Sequence, residues 1–416
     1  MQQVHKRFTT EQVKALLAQY DQGHMPRREV QELLGVGKTR FFALLADYHH
    51  AGQTFAITYE RTTPGRLPQT TEDAMQRELL REKELVEDKR LPISGYNYSA
   101  VRDRLLDDGI SVSLPTLIER AKRLSCYKPP HKTKTHDREV ITATIGDLIQ
   151  HDASHHLWSP YASEKWALIT SLDDYSRHLF YADFVPTETS WAHIQAAEQV
   201  LRQYGLPLRY YVDSLRVFRF VRNRDSLYAK QVLSTDETDP QWRQVLRLLG
   251  VDVVYALSPQ AKGKIERPYR WLQDRVVRTC ALEKISSIND ARSVLRHEVS
   301  RYNTRQVHST TGEIPQVRFE KAQKEGRSLF RPFVLPHPYR SAKDVFCLRE
   351  TRMVDGYRRI SVQGHVIEVP RVELHEEVEV HFVPNTLATV MELRIWWQDK
   401  MVLATTFPLD EFTVHF

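Results

Sequence analysis

The middle of the chain, from about residue 141 to residue 302, alternates between strand and helix periodicity, and this alternation constrains the fold more than any other feature. Three short apolar runs typical of strands come first, and helical and strand-like segments then follow each other. The strands are predicted at residues 147–152, 166–172, 178–184, 209–212 and 251–255, and the helices at residues 190–204, 239–249, 262–279 and 289–302. This order predicts a mixed sheet that is covered by helices.

Residues 1–50 show a helix-turn-helix pattern. Two predicted helices and a tight turn at residues 35–37 lead into a third helix at residues 38–48. A recognition helix meets base edges and phosphates with its N-terminal residues, and in this helix those residues are Lys38, Thr39 and Arg40. An ordinary three-helix bundle is the alternative interpretation of the same pattern.

A second helix-turn-helix pattern occupies residues 75–126. The segment before it, residues 51–74, contains Pro, Gly and Thr without regular apolar spacing, so we predict a linker there. Ser113 can cap the second recognition helix, and the side chains that this helix would offer to DNA are Thr116, Arg120 and Arg123.

Residues 127–140 form a basic segment that includes Lys128, Lys132 and Lys134 and almost no apolar residue. We expect an extended connector that follows phosphates along DNA. A solvated linker without a binding role is the alternative.

The C-terminal part of the chain is predicted to form short antiparallel strands at residues 358–362, 365–369, 377–382 and 389–396. Turns at residues 355–356, 363–364 and 384–385 separate them. A small closed barrel is the simplest way to satisfy such strands. We therefore expect an α/β domain at residues 141–320, a linker at residues 321–344 and a small β-barrel at residues 345–416.

Composition and charge exclude several classes of protein. The hydrophobic fraction of 41% and the charged fraction of 27% are globular values, and no apolar stretch reaches the length of a membrane span. The N-terminus has no apolar core of a secretory signal, so we expect a cytoplasmic, nucleoid-associated protein. Three distant cysteines argue against a disulfide framework or a paired-cysteine zinc site. A net charge of +6 favours a polyanionic partner without identifying it.

Three acidic residues are candidates for holding metal ions in phosphoryl transfer on DNA. Asp152 and Asp213 each end a predicted strand, and Glu266 lies one turn into a predicted helix that could place it against the two aspartates. Two divalent ions about 3.5 to 4 Å apart can activate an attacking oxygen and stabilise a leaving one. Mg²⁺ prefers hard oxygen ligands such as carboxylates.

The helix that carries Glu266 is basic around that residue, and its cations Lys262, Lys264 and Arg270 would meet the DNA backbone near the metal ions. A surface ladder of ion pairs between Lys262, Glu266 and Arg270 is the alternative. An acid at a strand end is also commonly a turn residue or a helix cap.

Histidines near Asp152 permit a different interpretation. His151, His155 and His156 could form a transition-metal cluster with Asp152. We rank this below the magnesium site because the sequence also supplies two distant carboxylates. The acids Asp173 and Asp174 are interpreted as structural.

Several segments, in order, resemble motifs of the DDE transposases of bacterial insertion sequences, which are relatives of the retroviral integrases. Residues 258–267 resemble the segment that holds the third acid, residues 211–218 the second-acid motif, and residues 148–152 the first. Residues 172–177 resemble the second core strand with its turn, and residues 302–315 the stretch after the core. The likeness spans about residues 146–315, and the order of the flanking domains agrees.

The resemblance implies a ribonuclease-H-like core in which Asp152, Asp213 and Glu266 hold two Mg²⁺ or Mn²⁺ ions. In this family, water cleaves the ends of the mobile element, and the freed 3′-hydroxyls attack target DNA. The resemblance also implies that the helix-turn-helix domains bind the terminal inverted repeats and that the C-terminal barrel is SH3-like. Double-stranded DNA and further copies of the chain, as a homodimer or higher homo-oligomer on DNA, are the partners it implies.

The chain departs from the family pattern after Asp213, where Ser214 and Leu215 replace the usual Asn-Gly, and residues 222–240 look like an insertion. Two other functions remain open at this point. One is a transposase-derived DNA-binding regulator without catalysis, against which the three intact acids count. The other is a metal-dependent nuclease that cuts DNA without joining it.

Overall fold

The computed structural model describes Val4 and residues 7–57, 67–129, 142–212, 241–255 and 263–412, without the side chains of residues 263–267. The chain divides into two compact units, Met1–Asp73 and Ala74–Phe416. The predicted insertion at residues 222–240 lies outside the described residues. None of the described helices is both long and apolar enough to cross a membrane.

The first unit contains the three helices predicted for it. They are α1 (Thr10–Asp21), α2 (Arg27–Leu34) and α3 (Lys38–Ala51). The side chain of Thr9 accepts a hydrogen bond from the backbone N–H of Gln12, and the side chain of Gln12 accepts one from the backbone N–H of Thr9. Helix α1 therefore begins with a capping box. Gly35 ends α2 with a φ of 65°, a conformation that glycine adopts at little cost. Apolar side chains from all three helices form one core.

Three helices open the second helical region: α4 (Gln69–Glu87), α5 (Tyr98–Asp107) and α6 (Leu114–Arg123). The cap at Ser113 is confirmed, because its hydroxyl accepts a hydrogen bond from the Thr116 N–H at 3.2 Å. The predicted linker at residues 51–74 is wrong at its end, where residues 69–74 are helical. Pro68 explains this start, because its carbonyl accepts from the N–H groups of Thr71 and Glu72.

The α/β domain is built on a five-stranded sheet, as the alternation of periods predicts. Its strands are β1 (Leu148–His156), β2 (Trp166–Asp173), β3 (Leu179–Val185), β4 (Arg209–Val212) and β5 (Asp252–Tyr255). They lie in the order β3-β2-β1-β4-β5. The pairs β1–β2 and β2–β3 are antiparallel, whereas β1–β4 and β4–β5 are parallel. The sheet is therefore mixed.

Strand β1 is longer than predicted, which changes the position of Asp152. Its pairing with β2 continues from Asp152↔Thr170 to His156↔Trp166. Asp152 consequently lies in the middle of the strand, and the prediction that it ends the strand is wrong. Residues 153–156 are mostly polar, so their strand conformation comes from pairing with β2 and leaves no apolar pattern in the sequence.

Helices cover both faces of the sheet. Helices α7 (Ser190–Tyr204) and α8 (Gln241–Leu248) pack with Ile149 and Tyr210 on one face. Helices α9 (Gly263–Leu282) and α10 (Ile288–Thr304) pack with Leu168 and Leu172 on the other. A further helix, α11 (Pro315–Lys324), follows them and was not predicted. Pro315 at its first turn and Gly326 just beyond its end were the available signals.

The C-terminal part contains six described strands: β6 (Leu348–Met353), β7 (Arg359–Val362), β8 (His365–Glu368), β9 (Glu377–Asn385), β10 (Val390–Trp397) and β11 (Lys400–Pro408). They form a four-stranded antiparallel sheet, in the order β11-β10-β9-β6, and a separate hairpin of β7 and β8. These described strands share one apolar core but do not close into a barrel, so the predicted closure is wrong.

The turn predicted at residues 384–385 is also wrong, because Pro384 lies inside β9 and pairs with Met391 of β10. On the other side of β9, pairing with β6 reaches only as far as Phe382. The missing N–H of Pro384 therefore breaks no ladder, which is how a proline is tolerated in a strand.

The C-terminal sheets pack against the α/β domain. Val345, Phe346 and Val383 belong to the same apolar core as α7 and α8. The side chain of Gln241 in α8 donates to the Arg349 carbonyl at 2.8 Å and accepts from the Arg349 N–H at 2.7 Å. The C-terminal sheets are thus held to the helix that covers one face of the central sheet.

Candidate active site

Asp152 occupies the centre of β1, the central strand of the five-stranded sheet, with 9% of its surface exposed. Side chains alternate between the two faces of a strand. Thr170, which pairs with Asp152, directs its hydroxyl to the Tyr269 hydroxyl of α9 at 2.8 Å. His151 contacts His193 of α7 on the opposite face. Asp152 therefore lies on the face that α9 covers.

Glu266 belongs to α9, whose backbone is described there, whereas its side chain lies outside the described residues. Tyr269 is three residues further along, and residues at this spacing share a helix face. Gln273, one turn beyond Tyr269, bonds to His156 at the end of β1 at 2.8 Å. The contacts of Tyr269 with Thr170 and of Gln273 with His156 thus hold α9 alongside the part of β1 that runs from Asp152 to His156.

Asp213 lies outside the described residues. The described part of β4 ends immediately before it, at Val212. The parallel register pairs Tyr211 with Gln150, so β4 runs beside β1 up to the neighbourhood of Asp152.

Metal binding can be examined for Asp152 alone among the three predicted ligands, since its side chain is described. Its carboxylate supplies hard oxygen donors, which suit Mg²⁺ or Mn²⁺ and not a soft metal. In the described residues, no group of three or more His, Cys, Asp and Glu side chains is arranged to hold a metal ion. A complete metal site consequently requires residues whose side chains are not described.

The alternative interpretation, a transition-metal cluster at His151, His155 and His156, is wrong, because these histidines, all within the described residues, do not form a metal-binding group with Asp152. His151 bonds to Ser171 and His193, each at 2.8 Å. His155 bonds to Glu188 at 2.6 Å, and His156 bonds to Gln273. Strand alternation separates His151 from His156, because they face opposite sides of the sheet.

Asp173 and Asp174 are structural, as predicted. Asp173 accepts hydrogen bonds from the backbone N–H groups of Gly146 and Ser176 and from the Ser176 hydroxyl. Complete burial raises its pKa to about 6. Asp174 accepts from Thr142, Gln150 and Arg177. Both carboxylates hold together the turn between β2 and β3.

The predicted DNA-binding residues divide into those whose side chains the structure describes and those whose side chains it does not. Lys38, Thr39 and Arg40 are exposed at the start of α3. On α6, the Thr116 hydroxyl bonds to that of Ser113, Arg120 lies 3.5 Å from Glu119, and Arg123 pairs with Glu119 while 64% of its side chain is exposed. Lys128 and Arg270 are also exposed. The remaining predicted residues, Lys132, Lys134 and Lys262, and the side chain of Lys264 lie outside the described part of the chain.

The docking of the second helical region onto α9 was not predicted. Arg278 of α9 pairs with Glu82 of α4 and with Asp274, and Asn97 donates to Asp274 at 2.5 Å. Arg275 pairs with Asp103 of α5 at 3.0 Å. Glu82 is fully buried. The only sequence feature that indicated this docking was a second glutamate four residues after Glu78, on the buried side of a partly apolar helix.

A cleft of about 380 Å³ lies between α9 and the loop that precedes α5. Its lining includes Tyr96, Asn97, His156, Arg270 and Gln273. The cleft therefore adjoins the end of β1 and the exposed Arg270 of α9.

Strand order and helix placement define the class of this domain. Three antiparallel strands are followed by two parallel strands, and helices cover both faces. This is an α/β domain built on a mixed five-stranded sheet, with an acid at the centre of its first strand.

Comparison with known proteins finds two curated relatives of the chain. No family model matches the chain. The protein y4bF of Sinorhizobium fredii, which is named as a transposase, is 26% identical over 337 residues, or 78% of this chain and 69% of the relative. The transposase for insertion sequence IS1202 of Streptococcus pneumoniae is 26% identical over 260 residues, or 62% of this chain and 49% of the relative. The resemblance to insertion-sequence transposases is confirmed by these relatives.

Solved structures of retroviral integrases are also similar to the chain. The catalytic core of bovine immunodeficiency virus (BIV) integrase is 15% identical with a TM-score of 0.30, covering 44% of this chain and 98% of the integrase core. The HTLV-2 integrase core, solved with magnesium, is 16% identical with a TM-score of 0.30, and the match covers 42% of this chain and 95% of that core. A simian T-cell lymphotropic virus intasome chain is 11% identical with a TM-score of 0.35, covering 74% and 92%.

Proposed function

We propose that this chain is a transposase that binds the terminal inverted repeats of a mobile element, cleaves the 3′ ends of the element and joins them to target DNA. The observation that supports this most is the position of Asp152 on the central strand, beneath the helix that carries Glu266. The sequence relationship to two transposases supports the same function.

Asp152, Asp213 and Glu266 are the residues that would hold two Mg²⁺ or Mn²⁺ ions. When bound, the ions would activate the attacking oxygen and stabilise the leaving oxygen. The contacts of Tyr269 with Thr170 and of Gln273 with His156 would keep α9 in place while DNA binds. Arg270 is exposed on the same helix and would pair with a phosphate beside the site.

The reaction has two displacements at phosphorus. In the first, the oxygen of water bonds to phosphorus and the bond to the 3′ oxygen of the element breaks. In the second, this 3′-hydroxyl bonds to a phosphorus of target DNA and releases a 3′ oxygen there. No side chain becomes covalently attached, so the protein acts by positioning and by charge.

DNA recognition is assigned to the two helical regions. Helices α3 and α6 would enter the major groove at the inverted repeats with the residues named above. The C-terminal sheets would bind DNA and assist assembly. Two element ends must be held together for joining, so the active form would be a homodimer or a larger assembly on double-stranded DNA.

The test is metal-dependent nicking and strand joining on DNA that carries the element end. We expect Asp152→Asn, Asp213→Asn and Glu266→Gln each to abolish joining and to spare DNA binding, since each removes a ligand charge with little change in volume. Asp252→Asn is the matched control, because Asp252 is exposed at the start of β5. Retained joining in any of the three variants would remove that residue from the site.

The same gels separate the competing functions. Binding by the unchanged chain without joining in any divalent metal would indicate a DNA-binding regulator. Metal-dependent cuts without covalently joined products would indicate a nuclease.

A further inference from the structure

A line of hydrogen bonds crosses the core behind Asp152. The Ser171 hydroxyl bonds to Nδ1 of His151 at 2.8 Å, and Nε2 of His151 bonds to Nδ1 of His193 at 2.8 Å. Nε2 of His193 then bonds to a carboxylate oxygen of Glu188 at 3.0 Å. The line joins β2, β1 and α7 to the loop before α7. We call it the histidine line, made of Ser171, His151, His193 and Glu188.

The carboxylate of Glu188 fixes the direction of the last bond in the histidine line. Burial raises the pKa of Glu188, but hydrogen bonds from His193 and His155 outweigh burial and hold the pKa below its ordinary value. An ionised carboxylate only accepts, so Nε2 of His193 donates. The other bonds give each ring nitrogen of His151 and His193 a partner within the line.

The histidine line is enclosed by aromatic side chains. His151 stacks on Trp242 of α8, with ring centroids 5.4 Å apart and planes at 11°. Tyr210 of β4 meets the edge of His151 at 5.8 Å. His151 is 1% exposed and His193 is fully buried. Polar groups this deep are costly unless every member has its partner, and a fully satisfied network makes a core rigid.

Asp152 follows His151 directly, and the two side chains leave the strand on opposite faces. A fixed imidazole at position 151 therefore fixes the strand backbone from which the carboxylate at position 152 projects. A site that holds metal ions tolerates displacements of only about 0.5 Å in its ligands. The histidine line holds the strand from the side away from DNA, where ligand binding does not disturb it.

We propose that His193 is a positioning residue that acts through His151 to hold Asp152 in its metal-binding geometry. This inference rests on the proposed function of Asp152 as a metal ligand. His193 itself touches neither DNA nor the reacting atoms; its effect passes along β1.

The experiment compares His193→Leu, His193→Asn and His178→Leu with the unchanged chain. Leucine cannot form the hydrogen bond with His151, whereas asparagine offers a polar atom near the position of Nδ1. His178 is the matched control: it is another buried histidine, immediately before β3, in contact with Asn303 and Phe319 and not with the histidine line. Its replacement destabilises the core without touching β1.

Two Mn²⁺ concentrations are measured for each variant. The first gives half of the metal-induced rise in the thermal unfolding midpoint. The second gives half-maximal joining of DNA. We expect His193→Leu to raise both by about tenfold, the size typical when a group supporting a metal ligand is lost. Affinity for end DNA should not change. His193→Asn should lie close to the unchanged chain, and His178→Leu should lower the midpoint without shifting either concentration.

Equal Mn²⁺ dependence in His193→Leu and the unchanged chain would overturn the inference, as would an equal shift in His178→Leu. The thermal measurement keeps this outcome separate from the proposed function. An unchanged chain that binds Mn²⁺ but joins no DNA would contradict the transposase function alone. The role of His193 would still be tested by the Mn²⁺ concentration that stabilises each variant against thermal unfolding.

Discussion

Position within the fold separates Asp152 from Asp173 and Asp174. Asp173 and Asp174 accept bonds from neighbouring backbone and side-chain groups and stabilise a turn. Asp152 lies in mid-strand under α9, where an acid contributes nothing to a turn or a helix cap. The position of an acid within its strand, more than its distance along the sequence, therefore indicates which kind it is.

Tyr269 provides a test at the scale of a single residue. Tyr269→Phe removes the hydroxyl that the Thr170 hydroxyl contacts and leaves a buried donor without that partner. We expect the free energy of unfolding to fall by about 1 to 3 kcal/mol and joining to weaken, because α9 loses a contact beside Asp152. Denaturant unfolding and the joining assay measure the two effects.

Tyr302→Phe is the matched control. Tyr302 is buried in the same apolar cluster, and its hydroxyl has no hydrogen-bond partner among the described residues. Its removal should leave stability unchanged or slightly higher. If the two variants lost equal stability, the contact between Tyr269 and Thr170 would not be what fixes α9.

Helix α9 connects the parts of the second unit. At one end, Tyr269 contacts Thr170 of the sheet, and the other end pairs through Arg275 with α5 and through Arg278 with α4. Helix α9 thus holds the second helical region beside the sheet that carries Asp152.

Arg278 tests this junction. Arg278→Met removes a buried guanidinium that contacts Glu82, Asp274 and the Gly95 carbonyl. Glu82 would still pair with Arg104 at 3.1 Å. Breaking a buried pair costs about 3 to 5 kcal/mol, so we expect a large loss in denaturant unfolding. Arg202→Gln, which removes an exposed pair with Glu198, should cost less than about 1 kcal/mol. Equal losses would contradict a structural role for the junction.

Local periodicity explains which elements could be predicted. Helix α7 and strand β4 occur at the predicted residues, because each carries its own apolar pattern and Thr189 caps α7. The second half of β1 could not be predicted, since its polar residues owe their conformation to pairing with β2. The bond between Arg278 and Glu82 joins residues that are 196 positions apart, so no local pattern in the sequence predicts it.

The same reasoning applies to the candidate site. Asp152 was identified from a motif, but its place in mid-strand came only from the register. The alternative of a transition-metal cluster at His151, His155 and His156 stayed open in the sequence, because residues 153–156 carry no strand pattern that would place His151 and His156 on opposite faces.

At the scale of the molecule, stability should depend on pH through the C-terminal sheet. Burial lowers the pKa of His381, but its contacts with Asp344 at 3.6 Å and Glu379 at 3.3 Å outweigh burial, and the pKa rises to about 10. The unfolded value is about 6.5. Because the folded-state pKa is the higher one, the stabilisation is complete below pH 6.5 and is lost as pH rises towards 10.

The free energy of unfolding measured from pH 6 to pH 10 checks this dependence. We expect it to fall with rising pH in the unchanged chain and to fall less in His381→Gln. His375→Gln is the control, since His375 is exposed in the same region. A slope that is identical in His381→Gln and the unchanged chain would show that another group is responsible.

The most direct test of the central claim is a crystal structure of the chain bound to its end DNA and Mn²⁺, with anomalous scattering used to locate the metal. The account predicts two Mn²⁺ peaks, each about 2.1 Å from carboxylate oxygens of Asp152, Asp213 and Glu266, with the cleaved 3′ end beside them. Metal peaks elsewhere, or one of these carboxylates turned away while DNA is bound, would contradict it.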